Sequence, residues 1–307
     1  MTKKDCVFYT MLFIANEDTT IRTSENGNVG VNEYINCCKL LFYSLKRYGF
    51  KLVVLSNLPE FITKIASELS VEKVDFTMNI PTGIKFYASH HKIDVFKYLS
   101  VSGADYSILI DNDIVCINDI PENFEAILNN ELPIYYDITD QVYPAYGRKT
   151  IIDEKEILMK CSSIGNWAGG EFIGGTKPFF GEIYNSCTEY LPTYLDNLSK
   201  LFHHSDEMLI SCAIEKYLLQ GHPLFNFGSI GGIARHWSVN ISHKPKPFAA
   251  LKDCFLLHLP ADKKFMASHS LSNCDKFLQN YSTYLKRRGI LNSVTPIKKI
   301  IKKIMGK

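Results

Sequence analysis

Short apolar runs of strand length alternate with longer segments of helical spacing through the first 120 residues, and this alternation constrains the fold most. "VFYTMLFIA" (7–15) reads as a strand. Over 31–50, Tyr34, Cys38, Leu41 and Leu45 recur at helical spacing, and "KLVVLSN" (51–57) reads as a second strand. A helix over 59–69, a short strand near "KVDFT", a helix over 89–100 and a strand ending at Asp111 follow. A βαβα rhythm of this kind predicts an α/β fold, with a mostly parallel central sheet flanked by helices. Ligands in such sheets bind beyond the carboxyl ends of the strands.

The second half is less regular. "NWAGGEFIGGTKPFFG" (166–181) predicts short strands and tight turns, followed by helices over about 179–196 and 205–219, a loop over 228–238 and a short strand over 254–260. There is no internal repeat, low-complexity segment or linker. The expected organisation is one domain over 1–275 with a C-terminal appendage over 276–307.

The appendage stands out by charge. Residues 276–307 carry nine Lys/Arg and no acid, which leaves 25 Lys/Arg against 32 Asp/Glu in 1–275. An acidic body is the wrong sign for nucleic acid, so no nucleic-acid partner is expected. In the tail, Ile297, Ile300, Ile301, Ile304 and Met305 share one helical face, and Lys298, Lys299, Lys302 and Lys303 share the other, after Pro296. A C-terminal amphipathic helix of this kind gains apolar burial and roughly 1 kcal/mol per near-surface lysine on an anionic bilayer. A helix docked on the protein or a frayed end are the alternatives.

Nine cysteines, without a C-x-x-C pair, read as reduced thiols of a cytoplasmic protein. The apolar run at 6–15 follows Lys3-Lys4 as a signal core would, but Asn16-Glu17-Asp18 replaces a small-residue cleavage site, so a buried strand is expected.

The chemistry concentrates at "ILIDNDIV" (108–115). Asp111 and Asp113 interrupt an apolar run, and burying a carboxylate costs several kcal/mol unless a cation or hydrogen-bond donors meet it. Side chains two residues apart on an extended segment lie on one side, so the pair can converge on Mg²⁺ or Mn²⁺ while Asn112 points away. An ordinary Asp-rich turn is the alternative; an EF-hand loop lacks its glycine here. His258 ends the apolar run of "LLHLPADKKF", with Lys263 and Lys264 following, and supplies a nitrogen ligand that suits Mn²⁺ together with ammonium groups for a diphosphate. In "WAGGEFIGG", Gly169 and Gly170 permit close backbone approach to a ligand or make a bend. Asp206 and Glu207 open a helix, where acids serve either a site or the helix dipole.

These residues carry a resemblance. "ILIDNDIV" resembles the D-x-D strand of nucleotide-sugar glycosyltransferases of the glycosyltransferase A, Rossmann-like fold. His258 with Lys264 resembles the H-x5-K element of family 8, which includes glycogenin and bacterial lipopolysaccharide hexosyltransferases. "GGEFIGG" and "HHSDEMLISCAIEKY" resemble segments of family 6, the blood-group A and B type transferases. The chain departs from family 8 around its lysine, where it reads "HLPADKKFM". The resemblance implies that Asp111, Asp113 and His258 bind Mn²⁺ (or Mg²⁺), and that Lys264, with Lys263 beside it, neutralises a donor phosphate. It implies that Lys92, Asp111, Gly169 and Gly170 contact the donor, and that Glu207 and Asp206 act at the donor sugar.

The expected function is retaining transfer of a hexose, galactose or glucose type, from a UDP-sugar to a lipid-linked glycan of bacterial lipopolysaccharide, O-antigen or capsule. Residues 290–307 would hold the enzyme on the inner face of the cytoplasmic membrane. A nucleotidyltransferase and a non-catalytic nucleotide-sugar-binding module are the alternatives.

Overall fold

The computed structural model describes residues 5–15, 30–239, 243, 246–269 and 276–289. In chain order these form β1 (Cys6–Leu12), α1 (Val31–Lys46), β2 (Lys51–Ser56), α2 (Pro59–Ile65), β3 (Ser70–Lys73), α3 (Lys92–Ser102), β4 (Tyr106–Ile110), β5 (Ile114–Cys116), α4 (Phe124–Asn129) and β6 (Ile134–Asp137). There follow α5 (Thr139–Tyr146), α6 (Arg148–Met159), β7 (Ala168–Gly175), α7 (Lys177–Asp196), α8 (Asp206–Leu219), β8 (Phe225–Asn226), β9 (Ile233–Arg235), β10 (Leu256–His258) and α9 (Lys263–Ala267). A last helix, α10, covers 277–289.

The main sheet has seven strands in the order β3-β2-β1-β4-β7-β6-β8. All its pairings are parallel except those of β7, which runs antiparallel to β4 and β6. The mostly parallel, helix-flanked α/β sheet expected from the alternation is therefore the observed architecture. A second sheet, β5-β10-β9, continues from the end of β4. Val115, Leu257 and Ala234 from this sheet pack with Cys37 and Leu40 of α1, Met266 of α9, and Phe277 and Tyr281 of α10.

Several boundaries differ from the sequence reading for identifiable reasons. The third strand ends at Lys73 rather than running through "KVDFT". Beyond it the buried Asp94 carboxylate accepts from the Thr77 and Met78 amides at 3.0 and 3.3 Å, so a side chain replaces the ladder partner there. The glycine-rich segment is one continuous eight-residue strand, buried throughout, and not a series of turns. Its glycines make room: a Cβ on Gly174 would sit 2.9 Å from Ile134 Cγ1 and 3.1 Å from Ile108 Cγ1 on the flanking strands. The expected loop at 228–238 contains β9, which pairs with β10. The tail helix expected at 297–305 lies outside the described residues. Among the described residues no helix is long and apolar enough to cross a membrane.

Gly174→Ala should lower unfolding free energy by about 1–3 kcal/mol, because a methyl group has to displace two packed isoleucines. Gly83→Ala, whose methyl group would meet nothing within 4 Å, serves as the control. Equal denaturant midpoints for the two variants would refute this account of the strand.

Candidate metal and anion site

Strand register assembles the site at the seam between the two sheets. β4 ends at Ile110, and residues 111–113 turn the chain into β5. Asn112 donates from Nδ2 to the Met11 carbonyl at 3.3 Å, leaving the two aspartates toward the other side. His258 pairs with Ile114 across β10 and β5, and the Leu259 amide donates to the Asp113 carbonyl at 3.0 Å, which sets the imidazole against Asp113. His258 also pairs with Arg235 of β9. On the other flank the Asp111 amide donates to the Glu171 carbonyl at 3.1 Å, bringing β7 alongside. Helix α8 presents Asp206 and Glu207 to Gly170, where a Cβ would come within 2.8 Å of Asp206 Oδ2.

The charges interlock. Lys92, 5 % exposed, lies 2.7 Å from Asp111 Oδ1 and 2.9 Å from Asp206 Oδ2, and donates to the Gly170 carbonyl at 2.7 Å. Asp113 takes His258 Nε2 at 3.1 Å on one oxygen and Lys263 Nζ on the other. His258 Nδ1 lies 3.2 Å from Glu171 Oε1. Arg235 donates to both oxygens of Glu171, Nε at 2.6 Å, and through Nη2 also to Glu207. The other Glu207 oxygen receives Trp167 Nε1–H at 3.2 Å.

Burial opposes every one of these charges, and the partners decide the outcome. Against burial, Lys263 and His258 hold Asp113 well below the usual carboxylate range, and Arg235 and His258 do the same for Glu171. Burial would lower the His258 imidazole, yet Asp113 and then Glu171 raise it to about 9. Asp111 moves the other way: burial and the adjacent Asp113 push it up against the pull of Lys92. The Asp111 side chain is still 31 % exposed to the cleft, which moderates that push.

This donor set fits a hard divalent cation. One ligand atom from each of Asp111, Asp113 and His258 lies within 4.8 Å of the others. Two ligands at right angles around an ion at about 2.1 Å stand roughly 3 Å apart, close to the 3.1 Å between His258 Nε2 and Asp113 Oδ1. Glu171 grips the far nitrogen of His258, the carboxylate–histidine arrangement that orients metal-bound imidazoles. The cluster sets five carboxylates, Asp111, Asp113, Glu171, Asp206 and Glu207, against three permanent cations, Lys92, Arg235 and Lys263. A dication with neutral His258 balances them.

All the expected site residues but one meet in and beside a single cleft of about 1000 Å³. Lys263, rather than Lys264, reaches the aspartates; Lys264 is exposed and lines the same cleft. Gly169 does not line it, and a Cβ there would run into the Glu171 carboxylate. Sequence reasoning missed Glu171, Arg235 and Trp167. Glu171 and Arg235 each adjoin short apolar stretches, but neighbouring glycines drew attention to backbone instead.

The architecture is a glycosyltransferase A-like fold. Among solved structures it is similar to the WbbM bifunctional glycosyltransferase in its apo form, with a TM-score of 0.50 at 13% identity over 83% of this chain. The chain spans 45% of that protein's length. No family profile and no curated protein matches the sequence.

Because a metal has to displace the His258 proton, Mn²⁺ should release about one proton on binding near pH 7, and its affinity should rise about tenfold per pH unit until pH approaches 9. Calorimetry in buffers of different ionisation enthalpy measures the proton count. His258→Ala should abolish the release, and pH-independent affinity in the wild type would count against histidine ligation.

Proposed function

We propose that the protein is a metal-dependent glycosyltransferase that moves a hexose from a UDP-sugar to a saccharide acceptor, with retention of configuration. The observation that carries this reading is the Asp111, Asp113 and His258 ligand set at the carboxyl end of β4, surrounded by ammonium groups inside a cleft large enough for a nucleotide sugar. A divalent cation, Mn²⁺ or Mg²⁺, held by these three residues would neutralise the charge that develops on the departing diphosphate.

The chain's own residues supply the rest. Lys263 and the exposed Lys264 contribute positive charge for the diphosphate, preorganised because Asp113 already holds Lys263. Lys92 fixes Asp111 and Asp206 relative to Gly170, so the donor meets a rigid floor. Glu207, anchored by Arg235 and Trp167, lines the cleft, where its carboxylate would stabilise an oxocarbenium-like transition state of the donor sugar. Gly170 lets the Asp206–Glu207 turn approach that floor.

Residues 1–275 are the proposed catalytic unit; within the basic segment 276–307, α10 packs against that unit and residues 290–307 are the proposed membrane-associating part. Arg288 of α10 lines the cleft. Contact of that tail with an anionic inner leaflet would bring the cleft to a lipid-linked glycan, of the kind used for lipopolysaccharide, O-antigen or capsule.

UDP release from a panel of UDP-hexoses should require Mn²⁺ or Mg²⁺ and fall at least a hundredfold in Asp113→Ala, while Glu171→Gln should weaken metal affinity by about 10–100-fold. Absence of UDP-hexose binding at any metal concentration would overturn the glycosyltransferase reading. Deleting 290–307 should abolish sedimentation with vesicles containing phosphatidylserine and leave UDP release unchanged; retained sedimentation would refute the membrane role of the tail.

A further inference from the structure

One wall of the cleft contains polar atoms that the fold leaves unmatched. Among the described residues, His203 Nε2, Trp237 Nε1 and His243 Nδ1 are buried without a hydrogen-bond partner. His203 is 9 % exposed. Its other nitrogen is committed: Glu154, itself 3 % exposed, accepts from His203 Nδ1–H at 2.5 Å and from the Phe202 amide. That bond commits Nδ1 to Glu154 and leaves Nε2 as the ring nitrogen open to a ligand. Leaving a buried polar group unpaired is destabilising, which a fold tolerates where a ligand later makes the bond.

The surroundings define the ligand's chemistry. Trp167, His203, Tyr146, His243 and Trp237 form a chain of rings, with successive centroids 4.3, 4.2, 5.7 and 6.4 Å apart. Interplanar angles of 44, 66, 78 and 83° give no parallel slot for a flat base. The Glu154 and Glu207 carboxylates beside the wall disfavour a phosphate. A pyranose has C–H faces for aromatic contact and hydroxyls that both donate and accept, which matches apolar rings carrying an unpaired ring nitrogen at His203 and an unpaired donor at Trp237. Phe202, 73 % exposed next to His203, adds a ring at the cleft lip.

We propose that this wall is the acceptor-sugar subsite, and that His203, oriented by Glu154, binds a hydroxyl of the acceptor through Nε2. The proposal rests on the glycosyltransferase reading of the cleft, and its position follows from Trp167, which touches His203 on one side and donates to Glu207 on the other. An acceptor held there lies next to the carboxylate that faces the donor sugar. Glu154 is a positioning residue, since it reaches the ligand only through His203.

The test separates the acceptor from the donor. Wild type, His203→Asn and His203→Gln are compared with Mn²⁺ and a UDP-hexose, scoring UDP released to water and hexose transferred to a panel of methyl hexopyranosides at millimolar concentration. Asparagine can keep the bond to Glu154 but removes Nε2; glutamine places an amide near the Nε2 position. His203→Asn should retain water-dependent UDP release within about twofold and lose transfer about tenfold, mainly through acceptor KM, with partial recovery in His203→Gln. Saturation-transfer NMR should show methyl hexopyranoside binding to wild type and its loss in His203→Asn, with UDP binding intact in both. Transfer unaffected in His203→Asn overturns the proposal, as does a parallel fall in transfer and UDP release, or UDP binding without binding of any methyl hexopyranoside. Failure of wild type to bind UDP or a UDP-hexose overturns the glycosyltransferase reading, and the acceptor assignment with it.

Discussion

The buried carboxylate of Glu171 is the point on which the seam between the two sheets depends. It sits in the middle of an otherwise apolar strand at 1 % exposure, and its charge is tolerable only because Arg235 closes on both of its oxygens and His258 on one. Both partners come from the small sheet, so the ion pair couples β7 to β9 and β10. Removing one member of such a cluster strands a buried charge at a cost of about 3–5 kcal/mol, whereas replacing the whole set with apolar residues would cost far less. Stability alone therefore does not explain its presence; positioning does.

From that anchor the polar network runs in two directions. Through His258 it reaches Asp113 and Lys263, and through Arg235 it reaches Glu207 and Trp167. The candidate metal ligands and the Glu207 carboxylate are thus held by the same buried group. A preorganised arrangement of this kind pays its reorganisation energy during folding, which is the condition for electrostatic stabilisation to act when charge develops on a leaving group. Lys92 plays the matching part on the other side, tying the turn after β4 to the first turn of α8 through Asp111 and Asp206.

Much of this was legible in the chain. The alternation of apolar runs with helical spacing led to the mostly parallel sheet, and the interruption of an apolar run by two carboxylates led to Asp111 and Asp113. Distant elements proved harder. Arg235 was read as part of a loop because Gly231 and Gly232 precede it, yet pairing with β10 makes it a strand residue. Gly169, Gly170, Gly174 and Gly175 suggested turns, because glycine removes local preference without stating what replaces it; here flanking isoleucines and the α8 acids occupy the space that a Cβ would need.

What the sequence by itself determined is the alternation of strands and helices in the first 120 residues and the identity of the aspartate pair, because period and polarity act over a few residues and leave their mark locally. Only the tertiary structure decided the partners. Which lysine meets Asp113, which acid steadies His258, and which face of the cleft keeps unpaired nitrogens all follow from strand register and helix packing between residues more than 40 positions apart. A buried charge is visible in a sequence as an anomaly, but the countercharge that makes it affordable is chosen by geometry.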